Sequence, residues 1–215
     1  MPTYILSASI LLSVLYGVVL CYRRPSVIKT VVKVAATALL TLWAYVLGGP
    51  WLLVAALAFG TLGDGFMSGD PKKWLLPGLL AFFVGHLAYL ALFMTAPHAP
   101  LDGVTLSIAC AVFLLTGGFL LYLWESLGDM RWPVVAYTTV IAFMGATAAL
   151  LDIGTPLVAV GAAMFILSDV LVALEVFKFE EDARIRLLTS PLLWALYFGG
   201  QALIAYGFLL NSQLL

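Results

Sequence analysis

Charge is what this sequence has least of. Asp, Glu, Lys and Arg make up 10% of its 215 residues, against 64% hydrophobic. A soluble domain of this length carries far more charge, so a wetted surface all round is excluded. Net charge is −1 and the basic residues form no block, which removes nucleic acid from the candidate partners. Histidine is scarce too: His86 and His98 alone cannot build a three-histidine zinc hydrolase site. Cys21 and Cys110 fall in different apolar runs and read as small buried residues, not as a disulfide. The chain has no G-x-S-x-G elbow and no P-loop glycine pattern. The G-x-G-D pattern of intramembrane aspartyl proteases is missing as well, since Thr61-Leu62-Gly63 precedes Asp64.

What the chain has instead is long apolar runs. Stretches of about 20 residues, the length needed to cross a bilayer, recur between Gly, Pro and charged punctuation. Eight are expected, near 3–22, 30–47, 51–68, 74–95, 104–124, 133–151, 157–177 and 190–210. The first lacks a basic leader and reads as a retained helix, not a cleaved signal peptide. The connections are too short for a soluble domain. The expected fold is therefore all-α, a polytopic membrane bundle of eight transmembrane helices in one membrane domain spanning residues 1–215.

Nine of the ten basic residues fall in alternate loops: Arg23, Arg24, Lys29, Lys72, Lys73, Arg131, Lys178, Arg184 and Arg186. By the positive-inside rule these loops face the cytoplasm and both termini face away from it. A bacterial inner (plasma) membrane suits this pattern. Gly63-Asp64 and Ser168-Asp169 sit late in corresponding helices, each followed by a similar helix. Duplication of a four-helix half would account for the match; shared apolar composition would as well.

The tenth basic residue, Lys33, lies inside the second span, and two carboxyls lie inside others: Asp64 and Asp169. An ionisable group in hydrocarbon is costly and marks a functional site by default. Counting 1.5 Å per residue from the inner helix ends puts Lys33, Asp64 and Tyr137 roughly 5–8 Å deep. Tyr197 and Asp169 come out roughly 10–12 Å deep, with Gln201 and His86 roughly 16–18 Å. These groups must find one another or water, so a polar cavity opening toward the cytoplasmic leaflet is expected.

Plainer readings stand beside each assignment. The acids could be structural, with Asp64 held by Lys33 and Asp169 by backbone or tyrosine. Lys33 could snorkel. His86, with Tyr89 on the same face, could simply bond helix to helix, as could Tyr137, Tyr197 and Gln201. Ser168 could bond back to its own helix. Glu175 is expected to reach solvent. The pairs Gly117-Gly118 and Gly199-Gly200, with Gly161, read as close helix contacts.

Taken in order, the lysine opening the second helix, Gly63-Asp64, Gly85-His86 with Tyr89, and Tyr137 form a pattern. Gly161, Phe165, Ser168-Asp169, Tyr197 and Gln201 continue it through the seventh and eighth helices. The pattern resembles the YhhN family of membrane proteins, which includes the animal lysoplasmalogenases. Val34 departs from it, standing where a proline would follow the lysine.

The resemblance implies hydrolysis of the vinyl ether bond of a lysoplasmalogen to a fatty aldehyde and a glycerophospho-alcohol. Such a reaction needs one carboxyl protonated and one ionised, as two neighbouring acids in a low dielectric provide. Asp64 and Asp169 are the expected catalytic pair. Lys33, His86, Tyr89, Tyr137, Ser168, Tyr197 and Gln201 would support them or bind substrate. The expected partner is a lysophospholipid entering from the membrane, its head group near Lys72 and Lys73; no metal or redox cofactor is required. The rival class is a proton-coupled transporter of a small solute or lipid, which would use the same acids. Against it, the third and seventh runs have no proline break near them, and polar groups are sparse in the outer half.

Overall fold

The computed structural model describes residues 2–69, 71–180 and 183–212. Within them the chain forms α1 (Pro2–Leu15, continued by a π-helical turn Tyr16–Leu20), α2 (Val27–Val46), α3 (Trp51–Met67) and α4 (Pro71–Thr95). It continues as α5 (Gly103–Leu123), α6 (Arg131–Ala149), α7 (Leu157–Phe177) and α8 (Arg186–Ser212). Seven of these segments are long and apolar enough to cross a bilayer, and α3 is a shorter apolar helix of 17 residues. The protein is an all-α integral membrane protein.

Boundaries fall close to those expected, with instructive differences in α4 and α8. Both start earlier than expected, α4 at Pro71 and α8 at Arg186, and each runs through the proline that its expected span already contained, Pro77 and Pro191. Both prolines lie past the first turn, so each withholds one N–H from the carbonyl four residues back, that of Lys73 or Leu187. Caps explain other ends. Ser26 accepts from the Lys29 amide at 3.2 Å to open α2. Gly48, at φ +73°, ends that helix in a conformation that favours glycine, and Pro50 leads into α3. Asp102 opens α5 with a capping box shared with Thr105. Hydrogen bonds from Thr105 hold the Asp102 carboxyl below the usual carboxylate range. The cap is therefore present at neutral pH and lost as pH falls through that lowered value.

The helices group into two compact units. The first comprises α1 to α3, α4 through Tyr89, and α8 from Phe208; the second runs from Leu90 through Gly207. In the first, Ser9 of α1 donates to the Ala36 carbonyl of α2 at 2.6 Å, and the Thr41 and Thr61 hydroxyls meet at 3.4 Å between α2 and α3. Helices α3 and α4 touch at glycines. A Cβ on Gly63 would stand 2.7 Å from the Phe82 ring, and one on Gly85 would stand 3.2 Å from the Ala56 carbonyl oxygen.

In the second unit, Phe113 of α5 meets Phe143 of α6 edge-on with ring centres 5.0 Å apart. Helices α7 and α8 are antiparallel and in backbone contact. A Cβ on Gly161 would lie 2.7 Å from the Gly200 oxygen, and the reverse substitution would lie equally close to the Gly161 oxygen. Neither backbone can yield as a flexible side chain could. Gly161→Ala is therefore expected to destabilise the fold by about 1–3 kcal/mol, read as a lower unfolding temperature in detergent.

Gly117→Ala is the control. The close helix contact expected at Gly117-Gly118 does not form: no heavy atom lies within 4 Å of a Cβ at either position. Cys110, expected to be buried, is exposed on the same helix. Both corrections have one cause. Helix α5 is apolar all round and turns most of its surface outward, where lipid replaces protein as the apolar surrounding.

Candidate functional site

In the first unit the dominant feature is an ion pair between helices. Lys33, in the second turn of α2, places its Nζ 3.0 Å from Asp64 Oδ1 on α3. The Asp64 side chain is 1% exposed and that of Lys33 15%. Two opposite charges withdrawn from water hold each other in place only where the geometry is close, as it is here. Next to Asp64, Gly63 lets Phe82 of α4 lie directly on α3. Phe82, His86 and Tyr89 follow one another along one face of α4 at helical spacing. His86 and Tyr89 are buried. The snorkelling reading of Lys33 gives way to the paired one.

In the second unit Asp169, half-buried on α7, accepts a hydrogen bond from the Tyr137 hydroxyl of α6 at 3.1 Å. Its neighbour Ser168 is fully buried and donates to the Phe165 carbonyl of its own helix at 2.7 Å, the plainer of its two readings. Phe165 stands edge-on to Tyr197 of α8, ring centres 5.3 Å apart, and Trp194 lies tilted against that tyrosine with ring centres 5.7 Å apart. One turn further along α8, Gln201 is 1% exposed. Neither atom of its amide has a hydrogen-bond partner among the described residues. A buried amide in that condition is costly and offers a donor and an acceptor to a ligand.

The residues singled out from the sequence thus form two constellations. One brings Lys33 to Asp64, with His86 and Tyr89 buried on α4 of the same unit. The other brings Tyr137 to Asp169, with Ser168, Tyr197 and Gln201 on α7 and α8.

Glu175 corrects an expectation. Its side chain is 13% exposed instead of reaching solvent, because α8 starts early enough to cover it. Thr189 and Ser190 both donate to its Oε1, Ser190 at 2.9 Å. Arg186 closes the arrangement, with Nη1 3.9 Å from Glu175 Oε2, and Nη2 donating to the Glu175 carbonyl and, at 3.2 Å, to that of Phe179. An arginine bonding the orphan carbonyls at a helix end is a C-cap. The cluster Thr189-Ser190, beginning three residues after Arg186, was the available signal.

Basic residues of the expected inner loops also stand over aromatic rings. Lys29 lies over Tyr16, Lys73 over Trp74, Arg131 over Trp124 and Lys178 over Tyr122, at 4.6–5.9 Å from the ring centres. Such pairs are at home where apolar core meets head groups. The side chain of Lys72, and residues Glu181 and Asp182 of the seventh loop, lie outside those described.

The family model of the YhhN family matches residues 28–208, a stretch that contains every residue of both constellations. The chain belongs to the YhhN family. Among curated relatives, a protein of Mycobacterium bovis named lysoplasmalogenase is 29% identical over 165 residues, covering 75% of this chain and 61% of the relative. Lysoplasmalogenase TMEM86A of Bos taurus is 32% identical over 167 residues, covering 71% of this chain and 63% of its own length. The human protein of the same name is 30% identical over 200 residues, covering 84% and 78%. The chain therefore spans just over three fifths of the length of the mycobacterial and bovine relatives. No solved structure is a significant match.

Proposed function

We propose that this YhhN protein is an intramembrane hydrolase of lysoplasmalogens, cleaving a 1-alkenyl glycerophosphoethanolamine or -choline at its vinyl ether. The observation that carries the reading is the unlike treatment of two carboxyls within apolar helices. Asp64 is paired to a cation at 3.0 Å, and Asp169 is bonded by a phenol at 3.1 Å. A reaction needing both a carboxylate and a proton-donating carboxyl calls for that difference. The name lysoplasmalogenase on the mycobacterial, bovine and human relatives supports the same substrate class.

Asp169 acts as the acid, giving its proton to the alkenyl carbon distal to the ether oxygen. The electron pair of the double bond forms the new C–H bond, and the oxygen stabilises the resulting oxocarbenium ion. Asp64, kept ionised by Lys33, stabilises that cation and takes a proton from the water that adds to it. The hemiacetal then collapses: its hydroxyl proton goes to Asp169, the C–O bond to glycerol breaks, and Asp64 gives the glycerol oxygen the proton it took from water. Fatty aldehyde and glycerophospho-alcohol leave. His86 and Tyr197 steer the water or the leaving oxygen, and the amide of Gln201 receives one of them. No step requires a metal or a redox cofactor. The substrate enters from the cytoplasmic leaflet of a bacterial inner membrane, with both termini on the other side.

Purified protein given a synthetic lysoplasmalogen is expected to release fatty aldehyde, detected by mass spectrometry, in proportion to enzyme. Protein-dependent solute uptake into sealed vesicles, with no aldehyde formed, would instead establish the transporter reading.

A further inference from the structure

Two contacts fix how α1 lies along α2 in the first unit. Ser9 donates to the Ala36 carbonyl at 2.6 Å, and Tyr16, seven residues further on, lies under Lys29, whose Nζ is 5.9 Å from the ring centre. Ala36 is likewise seven residues from Lys29, so the two helices run antiparallel and keep step over about 10 Å. Between these contacts stand Ser13 on α1 and Lys33 on α2, within about one residue of the same level. Helical spacing puts both on the facing stripes, 9, 13 and 16 on one helix and 29, 33 and 36 on the other. Ser13 is buried, as Ser9 is. We infer that the first helix completes the Lys33–Asp64 site: Ser13 and the phenol of Tyr16 face the Lys33 ammonium, and Tyr16 is a positioning residue for it. The geometry is independent of the reaction; only its kinetic consequence rests on the hydrolase reading.

An ammonium needs such neighbours. It carries three N–H donors, and Asp64 Oδ1, at 3.0 Å, takes one. Lys33 is largely withdrawn from water, so the remaining donors call for oxygen acceptors in the protein. A hydroxyl accepts from an ammonium without adding charge, which leaves the balance with Asp64 undisturbed. The Tyr16 phenol lies within electrostatic reach of that ammonium.

The backbone holds the phenol in place. Tyr16 opens the π-helical turn Tyr16–Leu20, and the Cys21 amide closes it on the Tyr16 carbonyl at 2.8 Å. Such turns are rare inside helices and frequent at functional sites. Lys29 ties down the end of the turn, its Nζ donating to the carbonyls of Cys21 at 3.0 Å and Arg23 at 2.8 Å. The cation over the ring is thus the one that fixes the helix end carrying it. Ser13 and Tyr16 precede residue 28, where the match to the YhhN family model begins, so the family pattern does not point to them.

The test is acylation of the full-length protein in detergent with a small amine-reactive anhydride, read by mass spectrometry as the labelling rate of each lysine. Only a neutral amine is acylated, so hydrogen bonds to the ammonium protect it. Tyr16→Phe keeps the ring beneath Lys29 and removes only the hydroxyl. It is expected to speed labelling of Lys33 by about tenfold, the worth of one hydrogen bond to a charged group, with Lys73 and Lys178 unchanged. Ser13→Ala is expected to act in the same direction. Unchanged labelling of Lys33 in Tyr16→Phe would overturn the inference, and so would an equal rise at every lysine, which reports unfolding. With lysoplasmalogen as substrate, Tyr16→Phe is expected to lower kcat by about tenfold and leave KM alone, because the phenol acts through Lys33. Lys33 labelling that responds to Tyr16→Phe in a protein releasing no aldehyde would sink the hydrolase and keep the site. Aldehyde release with Lys33 labelling indifferent to Tyr16→Phe would do the reverse.

Discussion

Asp64→Asn and Asp169→Asn are each expected to lower aldehyde release by about 10²–10⁴-fold, the range lost when a general acid or base is removed. The substitutions keep side-chain volume and remove only the ability to carry and pass a proton. At position 169 the change is nearly silent structurally, because an amide oxygen can still accept the Tyr137 bond found at 3.1 Å. Loss of activity there with an unchanged unfolding temperature would place Asp169 in the chemistry. Asp64→Asn is less clean, since it leaves Lys33 facing a neutral partner, so its stability must be measured alongside. The double variant adds a further test. Two groups serving one reaction fail together, so removing both should cost little more than removing the worse one. Wild-type rates in either single variant would make that acid structural and end the proposed mechanism.

Lys33→Met should be the most destabilising single change in the first unit, by about 3 kcal/mol. Removing one member of a buried ion pair costs about 3–5 kcal/mol, because the other charge stays behind without its partner. The lower figure applies because Lys33 keeps 15% exposure and water retains some hold on it. Combining Lys33→Met with Asp64→Leu should recover most of the unfolding temperature, since an apolar pair of similar size is no worse than the ions it replaces. The recovered protein should still release no aldehyde. A stable, inactive double variant would show that the pair is kept for chemistry and not for stability. Failure of the double variant to recover would mean that the two side chains also position the helices.

Helix count, helix limits and the Lys33–Asp64 pairing were legible in the sequence for one reason. Charged residues are so rare in this chain that each one inside a run stands out, and each needs a partner. The Tyr137–Asp169 bond was half legible: a tyrosine partner for Asp169 was among the plainer readings, but which tyrosine was not. Rotation around a helix is what escaped. Glu175 was placed correctly near the end of its helix and wrongly in direction, since distance from a helix end does not say which side a residue faces.

At 17 residues, α3 is about 26 Å long, against about 32 Å for the 21-residue α7 and a hydrocarbon thickness of about 30 Å. A membrane adapts to so short a span by thinning around it. Head groups near α3 would then settle to within about one helical turn of Asp64, three residues before the last residue of α3. An enzyme acting on a bond just below the head group need not lift its substrate out of the leaflet. It can let the leaflet sag to meet it.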